Sequence, residues 1–238
     1  MNIKFTLLTI IAGTFITLNA VAQSLLVERR PVKTEESSEV ESWTATFDQD
    51  MSFCQEMYGD FIKELVKTKV EKRGKNVLVA VKTQFPELSS LRIDQRAIFT
   101  PESAGTSVSF TFSPGYDVHF SSTSYKEEFA KAEKYVRNYV QYHYKKYYND
   151  LIAGLQSKMK SLQSDIESNG KKTDKNNKSI ASNIADGETD KTKTKNEKMK
   201  KENDQYAADT DSKRKELADI EDQLAKANDS LHKVLQFN

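Results

Sequence analysis

A single cysteine, Cys54, stands in 238 residues, so the chain can form no disulfide within itself and its fold must rest on packing. Histidine is nearly as scarce. His119, His143 and His232 show no HxxxH or HxH spacing, so no sequence-local metal site is expected and no cofactor is called for. A phosphate-binding P-loop, GxGxxG, GxSxG and CxxC are all missing, and Asp117 and His119, two apart on an extended segment, have no nucleophile to serve. The chain is therefore read as non-enzymatic. Neither sign of charge prevails: 36 basic against 35 acidic residues leave a net +1, which excludes nucleic acid as a partner of the strongly basic kind.

Long apolar runs are absent with one exception. Residues 5–18 form an apolar stretch behind the single basic Lys4, and Ala20-Val21-Ala22 supplies small residues where a signal peptidase needs them. Residues 1–22 thus read as a secretory signal peptide, with export to the periplasm or the extracellular space. The run falls short of the roughly 20 apolar residues of a membrane span, and no transmembrane span is expected in the mature chain. No cysteine at the cleavage point supports a lipid anchor.

What is present divides unequally. Most aromatics precede Asn149, which places the compact core in the first half. Residues 23–41 mix Ser, Glu, Lys and one Pro without periodicity and read as a flexible lead. Residues 42–123 read as a small α+β domain. Trp43, Ala45 and Phe47 alternate as a strand, and residues 51–73 carry apolar positions at helical steps, with Asp48 or Asp50 as cap and Gly74 as C-terminal turn. On that helix Cys54 shares a face with Tyr58, Phe61 and Leu65, which favours a small buried residue over a reactive thiol. Residues 76–85 are valine-rich and read as a central strand, and residues 93–100 as another. Val108, Phe110 and Phe112 have the parity of Tyr116, Val118 and Phe120, so an antiparallel pair is expected with Phe112 opposite Val118 and Phe110 opposite Phe120.

Residues 124–238 read as long helices, about 124–168 and 195–236. Ser124 is the expected cap of the first. Leu155, Met159, Leu162 and Ile166, and then Leu217, Ile220, Leu224, Ala227, Leu231 and Val234, keep heptad spacing. Residues 169–194 are almost wholly polar and read as a tip or linker. The fold class is α+β: a small, largely antiparallel sheet with one packed helix, followed by a long α-helical hairpin, centred near residue 180, or a coiled coil between chains.

The candidate surface is Tyr135, Tyr139, Tyr142, Tyr144 and Tyr148, interleaved with Arg137, His143, Lys145 and Lys146. Aromatic and basic groups together suit a planar or sugar ligand, yet a helix held between a sheet and a second helix needs the same breadth of tyrosine for packing, the favoured reading. From Lys171 to Glu202 ten lysines face six acids, a mild net +4 that a solvated face explains. Three functions fit: an exported envelope protein acting in interaction or assembly, through a protein partner or self-association of its helices; a periplasmic holdase-like chaperone with helical arms; and a small-ligand or glycan-binding module.

Overall fold

The computed structural model describes residues 25–34, 39–116 and 118–237. Residues 1–22, where a signal peptide is expected, and Asp117 lie outside the described residues. In chain order the elements are β1 Val27–Val32, β2 Val40–Phe47, α1 Met51–Val66, β3 Glu71–Arg73, β4 Val77–Gln84, β5 Arg92–Glu102, β6 Gly105–Ser113, α2 Lys126–Ala185 and α3 Asp190–Leu235. The six strands form one antiparallel sheet in the order β1-β2-β6-β5-β4-β3. With α1 and the start of α2 against it, and α3 folded back along α2, the architecture is α+β.

One face of the sheet carries the core. Trp43 and Phe110 are cross-strand partners on it; the Trp43 indole Nε1 donates to the Phe129 carbonyl of α2 at 2.8 Å, and the Phe110 ring lies 5.3 Å from Tyr139. The opposite face alternates to hydroxyls. Ser42 Oγ donates to the Arg30 carbonyl at 2.6 Å and Thr44 shares a hydrogen with Ser109 across the strands at 2.8 Å, so these buried polar groups are paired.

Local chemistry sets the boundaries of α1. The Asp50 carboxylate accepts from the Phe53 amide at 2.9 Å as N-cap, and Lys67 closes the helix in the left-handed conformation at φ 56°. The helix therefore stops at Val66 and not at Arg73 as its spacing predicts. Residues 71–73 pair with β4 instead, and Gly74, at φ 68°, makes the β3–β4 turn.

Four further expectations are corrected. The lead of residues 23–41 contains β1, whose alternation is hidden because Arg29 occupies a core-facing position, its guanidinium 4.9 Å over Trp43 and 5.6 Å over Phe129. The valine strand β4 is not central; it lies next to the edge, beside the three-residue β3. Among the described residues no strand follows β6 between Tyr116 and Phe120: β5 takes one side of β6 and β2 the other as far as Phe110, which leaves only the short edge beyond it open. What survives is a Gly115–Val118 bridge, a Phe120 amide bonded to the Phe112 carbonyl at 2.9 Å and stacking of those two rings at 6.3 Å. Ser124 does not cap α2: the cap position is Tyr125, at φ 54° and without a side-chain bond, while Glu127 and Glu128 occupy the first turn.

The largest correction concerns residues 169–194. They are the tip of the hairpin and not a linker, but a helical tip: the first long helix runs on to Ala185, the second starts at Asp190 and only residues 186–189 turn the chain, so the hairpin turns later than residue 180. A ladder of amides replaces leucine in the seam. Tyr148, Leu155, Leu162, Asn169, Asn176 and Asn183 recur every seventh residue, as do Asn196, Asn203, Thr210, Leu217, Leu224 and Leu231 on the returning helix. Asn183 Nδ2 donates to Asn196 Oδ1 at 2.7 Å, Asn176 Nδ2 to Asn203 Oδ1 at 3.0 Å, and Asn169 Nδ2 to Asp209 Oδ2 at 2.7 Å. Buried amides fix helix register at a cost in stability. Asn176→Leu alone should cost about 1 kcal/mol, since the half-buried Asn203 Oδ1 loses its donor but stays within reach of water, while adding Asn203→Leu should recover that loss and admit oligomers. Thermal melts with light scattering read both effects.

Gly105 opens β6 at φ 139°, where an added Cβ would stand 1.9 Å from the Phe47 carbonyl oxygen. Gly105→Ala should destabilise the protein by about 2 kcal/mol or more, read as a lower urea midpoint, because backbone rather than a flexible side chain has to move.

Candidate functional site

The spacing of the tyrosines of α2 invites a ligand. Tyr135, Tyr139, Tyr144 and Tyr148 are buried, and only Tyr142 keeps partial access to solvent. Tyr139 is the hub. Its ring lies 5.5 Å from Phe47, 5.3 Å from Phe61 and 5.8 Å from Tyr58, and its hydroxyl donates to the Cys54 carbonyl at 3.2 Å. Tyr135 meets Phe85 and Phe112 edge to face at 5.6 and 5.5 Å. Tyr144 donates to Asp48 at 3.2 Å and stacks on Tyr148 at 6.2 Å. Tyr142 donates to Glu64 of α1 at 2.8 Å. Burial pushes the Tyr135 and Tyr139 phenols well above their ordinary range. The five side chains thus clamp α2 to the sheet and to α1 and do not form a shared ligand surface.

Of the interleaved basic groups Lys145 is exposed, and the other three are engaged. Arg137 pairs with Glu133 at 2.7 Å and lies 5.4 Å over the Phe237 ring, and Lys146 pairs with Asp60 of α1. His143 is fully buried between Phe47 and Phe53, its Nε2 3.0 Å from the Gln49 side-chain oxygen, and desolvation lowers its pKa to about 3, so the imidazole is neutral. Cys54 is a free, buried thiol whose pKa burial pushes up to about 12. Among the described residues, no three of His, Cys, Asp and Glu gather in an arrangement that could hold a metal ion.

Two features remain accessible. The first is a cleft of about 540 Å³. Its wall from α1 is Phe61, Leu65 and Val66; the β4–β5 connection adds Phe85, Pro86 and Leu88, with Glu87 at the lip. The third wall is one face of α2, where Tyr135 lies among Lys131, Lys134 and Asn138. Behind the cleft, and not lining it, the Tyr135 hydroxyl reaches Gln95 Oε1 at 3.5 Å, an oxygen shared with the Tyr58 hydroxyl, so this polar group is already paired. Among the five tyrosines only Tyr135 borders this cleft. Sequence periodicity marks Phe61 and Leu65 as core. It carries no signal that joins them to Lys131 and Lys134, since helix α1, a loop and helix α2 meet there only in the fold.

The second is the far part of the helical hairpin. Apolar packing against the sheet ends near Leu151 and Ile152 on α2, with Ala227, Leu231 and Val234 on α3. Further out, Leu155, Leu162, Met159, Leu217, Ile220 and Leu224 form a second cluster within the hairpin, joined to the body's core through Leu151. From Ile152 to Ala185 the pair extends about 50 Å at ~1.5 Å per residue. Its flanks are charged, with Lys158–Glu216 bridging the two helices at 2.6 Å. Of the large apolar side chains on this arm, Ile184 is the exposed one among the described residues. No described helix is long and apolar enough to cross a membrane.

No protein-family model matches the chain, and no curated protein or solved structure matches it either.

Proposed function

We propose that this protein acts outside the cytoplasm as a non-enzymatic interaction or assembly protein, in which the α+β body carries the helical hairpin as a projecting arm. The observation that carries the reading is the outer hairpin itself, about 50 Å of paired helix (~1.5 Å per residue) whose apolar contacts are internal to the pair. Ordering so many residues costs conformational entropy that the sheet does not offset there. An arm held at fixed register by amide pairs presents a rigid, charged surface at a distance from the body, which suits recognition of a polar partner. Export is supported by the residue pattern of 1–22.

A holdase would capture clients on exposed apolar surface. The arm offers Ile184 alone for that among the described residues, which favours polar recognition over client holding. The test places a photo-activatable residue at exposed arm positions, Lys178 or Lys198, and at the exposed body position Glu102 of the full chain in its native cells. Adducts with a discrete second polypeptide are expected from the arm and not from Glu102. Equal adducts from all three positions, or none from the arm, would overturn the proposal.

A further inference from the structure

We propose that the cleft between α1, the β4–β5 connection and the first turns of α2 binds an amphipathic carboxylate, a molecule with an acyl chain and one anionic end. This ligand site lies on the body and is independent of the arm. A cavity of about 540 Å³ falls within the size of small-molecule sites, on the order of 300–1,000 Å³, and its apolar walls with a few convergent polar groups have the usual composition of one.

The charge at the rim selects the ligand class. Lys131 and Lys134 lie three residues apart on one face of α2 and are exposed, with Tyr135 beside them turned inward. Among the described residues neither ammonium is in an ion pair, and Glu87 is the only acid at the lip, so the rim is net positive. Asn138, one turn on, adds an amide donor to the same edge. The floor is different. Phe61, Phe85 and Leu88 are buried there and offer no donors, so a compact, multiply charged anion such as phosphate would gain the lysines and nothing below them. A neutral hydrocarbon would fill the floor and leave the cations unused. An acyl chain ending in a carboxylate meets both, with the chain against Phe61, Leu65 and Leu88 and the carboxylate between the two ammonium groups.

Titration calorimetry with decanoate, decanol and inorganic phosphate, each below micelle-forming concentration, tests this on the chain beginning at Gln23 and on the full 238 residues. Decanoate should bind one to one. Lys131→Met with Lys134→Met, at exposed positions where folding is not at stake, should weaken decanoate at least tenfold and leave decanol unchanged; Leu65→Glu at the lip should weaken both. Decanol binding as tightly as decanoate, or phosphate competing with decanoate, would overturn the assignment. So would binding seen only when residues 1–22 are removed, which would make the apolar run of residues 5–18 the occupant.

Discussion

Replacing Tyr139 by alanine is expected to remove about 3–5 kcal/mol of folding stability, a large part of the roughly 5–15 kcal/mol that holds a domain together. The side chain is fully buried and its ring touches aromatic groups from β2, α1 and β6, so no single element can collapse into the space it leaves. Urea titration followed by circular dichroism reads the loss as a lower midpoint with an unchanged slope. Tyr139→Phe separates ring from hydroxyl. It keeps the aromatic contacts, forfeits the bond to the Cys54 carbonyl and should cost only about 1 kcal/mol. Tyr142→Ala should lie much closer to the parent protein, because that side chain is half-exposed and its bond to Glu64 is at the surface. A Tyr139→Ala variant as stable as the parent would mean that the tyrosine stripe is not what clamps α2 to the body.

Acid should weaken the fold from pH 6.5 downward, and His143 is the reason. Its folded pKa is lowered to about 3 from an ordinary 6.5 because the ring is desolvated. Between those values the unfolded chain takes up a proton that the folded protein refuses, so stability falls as pH falls, by roughly 1.4 kcal/mol per pH unit and on the order of 5 kcal/mol in all. The loss ends near pH 3, where the folded imidazole is itself protonated. Glu41, Asp50 and Asp209 have lowered carboxyl pKa values and contribute stability above the ordinary carboxylate range that is lost as pH falls through it, below about pH 4.5. The decline between pH 6.5 and 4.5 therefore belongs to His143 within this set. His143→Gln, which can still face Gln49, should flatten that interval in urea midpoints measured from pH 8 to 4.5; an unchanged slope would show that the histidine is not the group responsible.

The two readings of the tyrosine stripe illustrate what one-dimensional spacing can say. Positions 135, 139 and 142 follow one helical stripe and 144 and 148 another, which establishes breadth but not what stands opposite. The sheet supplies the answer, since Phe47, Phe110 and Phe112 come from strands far away in sequence and converge on α2 only after β6 is inserted between β2 and β5. The polar stretch of residues 169–194 misleads for a related reason. A composition poor in apolar residues predicts a linker when each residue is weighed alone, whereas the buried Asn169 and the half-buried Asn176 and Asn183 find amide and carboxylate partners across the hairpin.

Elements whose period is self-contained follow from the chain's own residues: the strand from Trp43 to Phe47, the helix starting beside Asp50 and the hydrophobic heptads of both long helices. These are legible because side-chain periodicity reports which face is buried whatever lies against it. Long-range packing was needed for the strand order, the hidden strand at Val27–Val32 with Arg29 lying on Trp43, the continuation of the hairpin to Ala185, and the meeting of Lys131 and Lys134 with Phe61 and Leu65 around one cleft. Each depends on contacts between residues distant in the chain, and a period along one segment carries no information about its partner.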